Sequence, residues 1–268
     1  MIMVEMFYII IPEHTILELI ISLLICIALG FFAYWRRILD FPGAVGSFIV
    51  GLVIAIFTNI YWLITLIAFL IVTYGVTKLK FSYKKTHGVA QGRHGERGLI
   101  NVVANGAILA IIAVFRFQLG FPLAGLLFIT GISAAASDSF ANEIGVLSNK
   151  TYLITNLHKR VPPGTDGGVS VLGTTASIFG AVIPALIGWI FISEFNYNLY
   201  PITHQQQLPM SSYTLLLPII MGIIGCQIDS VLGATLQRKK VINNDQVNFF
   251  SILLTILITT VIVLLIPI

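Results

Sequence analysis

Long apolar runs separated by short polar breaks fill the chain, and within the runs apolar residues stand on every side rather than in alternation. Runs of about 18 or more such residues read as bilayer-spanning helices. The strands of a membrane barrel would alternate in polarity over about 10 residues, so a barrel is rejected. The pattern predicts eight spans, at about 16–35, 43–59, 61–77, 99–117, 121–140, 169–192, 213–233 and 248–267. Only a polar spot around Asn59 separates the second span from the third, which predicts a tight helical hairpin. Glycines 43, 46 and 51 predict close helix packing on the second span. The expected fold is an all-α polytopic membrane bundle, a single integral membrane domain over 1–268.

Composition agrees. The 268 residues are 57% hydrophobic and 10% charged, with mean hydropathy +0.97. A soluble domain carries about 25% charged residues, so this chain cannot cover a globular surface. Cys26 and Cys226 both fall in apolar runs and read as small core residues. The five histidines are scattered with no ligand spacing such as HExxH, which argues against a zinc site. Nucleic acid is not an expected partner. The opening MIMVEMFYIIIPEHT lacks the basic leading region and cleavage site of a secretory signal.

The placement of charge gives an orientation. Arg36 and Arg37 follow span one, and Lys78, Lys80, Lys84, Lys85, Arg93 and Arg97 follow span three. Lys150, Lys159 and Arg160 follow span five, and Arg238, Lys239 and Lys240 follow span seven. With eight spans all fourteen share one side, and only Arg116 of the 15 basic residues falls on the other. Loops 78–98, 141–168 and 234–247 are then cytoplasmic, and both termini, with segment 1–15, lie outside. The outer loop 193–212 has no lysine or arginine.

Four polar patches interrupt the apolar pattern, all at the expected cytoplasmic helix ends. In HGVAQGRHGERGLINVVANG (87–106), Arg97, Asn101 and Asn105 stand at i, i+4 and i+8 on one helix face, a stripe suited to phosphate and hydroxyl binding or to anchoring between helices. In SAAASDSFANEIG (133–145), Asp138 and Glu143, with Asn142 one turn from Asp138, are hard oxygen ligands of the kind magnesium takes. Pairing of Asp138 with a neighbouring lysine or arginine is the alternative. In VPPGTDGGVSVLGTTAS (161–177), two prolines end any preceding helix, and Gly164, Gly167 and Gly168 free the backbone. Thr165, Asp166 and Ser170 can cap the helix that follows. A glycine-rich turn at a helix start is a ready anion site, and many such loops only turn corners. No GKS or GKT follows, so this is not a Walker motif. In GCQIDSVLGATLQ (225–237), Asp229 lies inside span seven beside Ser230, and an intramembrane acid is a functional candidate.

Taken together, GERGLINVVANG, SDSFANEIG, PPGTDGGVSVLGTTAS and IDSVLGATLQ resemble the transmembrane-19-like family, also called uncharacterised domain family 92, to which a chloroplast phytyl-phosphate kinase belongs. The resemblance covers roughly residues 30–268. It departs from the family pattern at Ser139, where threonine is common, and at Asp166, where asparagine is common. It implies transfer of a phosphoryl group from a nucleoside triphosphate, CTP above all, to a phytyl, geranylgeranyl or polyprenyl monophosphate, with magnesium. A mechanism that joins the residue pattern to this reaction takes Asp138, Glu143, Asp166 and Asp229 as metal ligands. Gly164, Thr165, Gly167, Gly168, Ser170, Asn101 and Asn105 would bind phosphate and acceptor, and Arg97, Asp138 and Asp229 would act in the transfer. A cytidylyltransferase making a CDP-lipid, a polyprenol kinase, an ion-coupled transporter and a non-catalytic scaffold are the competing functions. Membrane lipids are expected partners, and a homo-oligomer is among the assemblies the sequence allows.

Overall fold

The computed structural model describes residues 16–86, 88, 96–195 and 212–266. Segment 1–15, most of the 193–212 connector and part of the 78–98 loop lie outside the described residues. Eight apolar helices occupy the eight expected places: α1 (Ile16–Trp35), α2 (Phe41–Phe57), α3 (Ile60–Lys78), α5 (Leu99–Val114), α7 (Phe121–Gly145), α8 (Val171–Gly188), α9 (Ser212–Leu232) and α10 (Asn244–Leu265). Six are long and apolar enough to cross a membrane; α2 and α5, at 17 and 16 residues, are shorter. At about 1.5 Å per residue those two reach about 25 Å, just short of a hydrocarbon core. Two small helices, α4 (Phe81–Thr86) and α6 (Arg116–Leu119), follow α3 and α5.

The polar breaks in the sequence are helix starts. Asp40 caps α2 by accepting from Gly43 N at 2.7 Å, and Asn59 caps α3 by accepting from Tyr61 N at 3.1 Å. The α2–α3 link is the predicted tight hairpin, with Thr58 and Asn59 fully buried. A reciprocal capping box between Asn243 and Gln246 opens α10.

Helix α7 is the hub. α3, α5, α8, α9 and α10 pack directly on it, α2 fills the space between α5 and α3, and α1 lies outermost against α2. Most of α7 is buried, and its middle is small residues: Gly131, Ser133, Ala134, Ala135, Ala136 and Ser137. Small partners let backbones approach. A Cβ on Gly180 of α8 would lie 2.7 Å from Ala136 O and 2.8 Å from Ser137 Cα, and one on Gly225 of α9 would lie 2.8 Å from Ala134 Cβ. Gly180→Leu is therefore expected to force α8 off α7 and lower the unfolding temperature in detergent by an overpacking cost of about 1–3 kcal/mol. Gly75→Ala, where a Cβ meets nothing within 4 Å, is the matched control and should leave the midpoint in place.

The sequence pattern contained no sign of a sheet, yet the 141–168 loop holds one. Helix α7 first continues five residues past the expected span end, to Gly145. Three short strands follow, β1 (Thr151–Leu153), β2 (Asn156–Val161) and β3 (Gly168–Val169), antiparallel in the order β2-β1-β3. Tyr152 pairs with Arg160 on one side and Val169 on the other. Helices α8 and α9 each end in a widened π turn, at Trp189–Phe195 and Gly233–Gln237. The bundle is otherwise all-α.

Candidate functional site

Where α7 ends, the loops after α3, α7 and α9 meet over a cavity of about 580 Å³. A backbone bridge between Leu39 and Arg97 ties the loop after α1 to the same end. Three helices, α5, α8 and α10, begin there, so their positive dipole ends face the cavity region.

Asp229 of α9 stands at this cavity, and Asp138 of α7 stands against Asp229. Their carboxylates meet at hydrogen-bonding range. Asn142 Nδ2 donates to both Asp138 oxygens at 2.9 Å, and Ser251 of α10 donates to Asp229 Oδ2 at 3.1 Å. Asp229 lines the cavity, and Asp138 lies directly behind it. Two carboxyls at that range keep their charge together only when a cation sits with them, and otherwise share a proton. The pair suits a hard ion that completes its shell with water and phosphate oxygens, as magnesium does.

The four predicted metal ligands do not come together as one cluster. Among the described residues no three His, Cys, Asp or Glu side chains gather to hold a metal. Glu143 lines the cavity but forms a buried ion pair through Oε2 with Lys84 of α4, which folds back beneath α3. The pairing with a lysine weighed for Asp138 therefore falls to Glu143. Asp166 stands at the exposed rim, where its Oδ1 accepts from Gln237 Nε2 at 2.9 Å.

Gly164, Thr165, Gly167, Gly168 and Ser170 all line the cavity, but several of their donors are already engaged. Thr165 N and Oγ1 both donate to Pro162 O, and Gly168 N donates to Thr165 O at 2.8 Å. Ser170 caps α8, accepting from Gly173 N at 3.0 Å. The loop therefore turns a corner as well as facing the cavity. Gly164 and Gly167 take φ of +81° and +70°, where other residues are strained. Gly167 sits directly on the π turn of α9: a Cβ there would lie 2.4 Å or less from Ala234.

Arg97 lines the cavity, its Nη2 donating weakly to Thr77 Oγ1 at 3.4 Å. Burial pulls the guanidinium below the ordinary arginine value, and the Glu143 and Asp138 carboxylates pull it back up. Asn101 also lines the cavity and donates to Asp245 Oδ1 of α10 at 3.2 Å. Asn105, a turn deeper, does not reach it; its amide donates back to Asn101 O at 2.9 Å. The expected three-residue stripe is thus shortened to two.

Lys84, Thr77, Gln237, Asp245 and Ser251 were missed. Lys84 looked like one more charge in a basic loop, and Ser251 like one hydroxyl of an apolar span. Asp245 had a usable signal, since it opens a span directly after a basic loop.

Residues 24–256 match the family model described as Integral membrane protein DUF92. The chain belongs to the DUF92 family. Among relatives of this DUF92 protein, an uncharacterized membrane protein of Methanocaldococcus jannaschii is 32% identical over 241 residues, 89% of this chain and 91% of that one. The chloroplastic protein VTE6 of Arabidopsis thaliana is 28% identical over 200 residues, covering 69% of this chain and 53% of VTE6. The Arabidopsis protein PGR is 26% identical over 282 residues, covering 91% of this chain and 96% of PGR. No solved structure matches. DUF92 membership and the apolar helices make this a multi-pass integral membrane protein.

Proposed function

We propose that this DUF92 protein is an isoprenoid-phosphate kinase working at the cytoplasmic face. The observation that carries the reading is Asp229, with Asp138 against it, meeting Arg97 and the glycine loop at one cavity where the helices end. The family resemblance, which includes a phytyl-phosphate kinase, supplies the reaction class.

The charge lining supports a metal-dependent substrate. Among the described residues, Glu96, Glu143, Asp166, Asp229 and Asp245 face the cavity, against Arg97 as its one basic side chain. A bare triphosphate would be strongly repelled; a divalent complex, with about half the charge, would be repelled far less. Asp138 and Asp229 would hold the ion, and bound there magnesium neutralises the nucleotide phosphates. The N–H groups of Gly164, Asp166 and Gly167 make none of the loop's backbone bonds and would donate to the phosphates. Arg97 stabilises charge on the moving group, and Asn101 orients the acceptor. An oxygen of the acceptor monophosphate attacks the terminal phosphorus of the nucleotide. The bond from that phosphorus to the bridging oxygen breaks, leaving nucleoside diphosphate and prenyl diphosphate. The acceptor is already an oxyanion, so no base is required.

Purified protein given magnesium, CTP or ATP, and geranylgeranyl or phytyl monophosphate is expected to yield the diphosphate. Chelation with EDTA should abolish both transfer and nucleotide binding. A product carrying the nucleotide by mass would assign a cytidylyltransferase instead. No product with any donor and acceptor, from protein that keeps its unfolding transition, sinks the kinase reading.

A further inference from the structure

Lys84 is fully buried at the edge of this site and has no place in the transfer described above. Its ammonium has three donors, and three acceptors surround it: Glu143 Oε2, Thr77 O at 2.9 Å and Val76 O at 3.4 Å. The last two are carbonyls at the C-terminal end of α3, where a cation is favoured. Arg97 also reaches Thr77, donating to its Oγ1 at 3.4 Å. Thr77 thus touches both cations, and the Glu143 charge that pairs with Lys84 also acts on Arg97. The second oxygen of Glu143, Oε1, is buried with no hydrogen-bond partner among the described residues. It is the natural landing place for a guanidinium, yet the Arg97 hydrogen bond goes to Thr77.

We infer that Lys84 is a positioning residue: by neutralising Glu143 it keeps the cavity's one described basic side chain, Arg97, available to phosphate. The inference rests on the phosphate-binding reading above. A bare Glu143 beside Arg97 would form the buried charge-assisted pair itself and withdraw the guanidinium from the cavity. The same geometry explains why Glu143 is a poor metal ligand, since its Oε2 is held by a lysine that a metal would have to displace.

The test uses the whole protein in detergent with two readouts. Phenylglyoxal labelling of Arg97, read by peptide mass spectrometry, needs no substrate. Binding of magnesium tripolyphosphate reads the phosphate site. Lys84→Met is expected to slow Arg97 labelling and weaken tripolyphosphate binding, each about tenfold, the scale of one charge-assisted hydrogen bond. Adding Glu143→Gln to Lys84→Met removes the competing charge and should return both readouts toward wild type. Lys84→Arg should keep both. A double variant as impaired as Lys84→Met, or unchanged labelling in Lys84→Met, overturns the inference, because a merely structural lysine predicts no rescue. Should Lys84→Met fail to fold, Glu143→Gln alone decides: Arg97 labelling must hold or rise, and a fall overturns the assignment. If labelling follows the expected pattern while wild type binds no tripolyphosphate, the counter-ion role stands and the kinase reading falls.

Discussion

Asp229→Asn is expected to lower phosphoryl transfer by at least about a hundredfold, the scale of losing a single preorganised electrostatic contact, with no loss of thermal stability. Asp138→Asn should do the same. The two results belong together because each change is isosteric and alters only charge. In Asp229→Asn the amide oxygen still accepts from Ser251, which bonds the native carboxylate at 3.1 Å. In Asp138→Asn one of the two bonds from Asn142 is lost, a smaller effect of about 1 kcal/mol. Against that, removing a charge from between packed helices relieves its desolvation. Activity and stability should therefore move apart, the first collapsing and the second holding or rising. Product formation and thermal unfolding on the same preparations check it. A scaffold with no chemistry predicts that both substitutions are tolerated, and near-wild-type transfer in either would favour it.

Gly167→Ala is the second large effect. At φ +70° an alanine costs about 1–2 kcal/mol in strain, and its Cβ would run into Ala234 of the α9 π turn. Neither can be relieved without lifting the loop off α9, which also separates Asp166 from Gln237. The N–H groups of Gly164, Asp166 and Gly167 would move with it. The KM for the magnesium–nucleotide complex should rise at least about tenfold, equivalent to about 1.4 kcal/mol of binding. The bundle should be spared, because the loop lies beyond the helix ends. Steady-state kinetics beside an unfolding curve separate the two. An unchanged KM would mean that the loop turns a corner and does nothing more.

The helices were legible because lipid imposes a simple rule on sequence. Every spanning residue must be apolar or internally satisfied, so the runs of apolar residues give the spans and the breaks give the caps, as Asp40, Asn59 and Asn243 show. Asp138 and Asp229 stood out for the same reason, as charges in a place where charge is costly. The sheet was hidden because its strands are two to six residues long and its edge strand is almost wholly exposed, so no burial pattern marks it. Glu143 was misjudged for a different reason. A carboxylate's residue type says which cations it takes but not which one the fold delivers, and Lys84 arrives from 59 positions away. Asn105 shows a third limit: a helix stripe gives direction, while depth decides whether a side chain reaches the cavity.

The most apolar 18-residue window of helix α7 has a mean hydropathy of 1.4, the lowest such value among the six long helices, and 83% of that window is covered by its neighbours. A segment of that kind gains little from hydrocarbon when it stands alone, and the helices that cover it most closely, α8 and α9, are translated after it. Biogenesis thus inherits an order from the fold: the α7 segment has to be sheltered at the insertion machinery until its later partners emerge. Mutations in α8 or α9 that slow docking should then appear first as failed insertion of a helix they do not belong to.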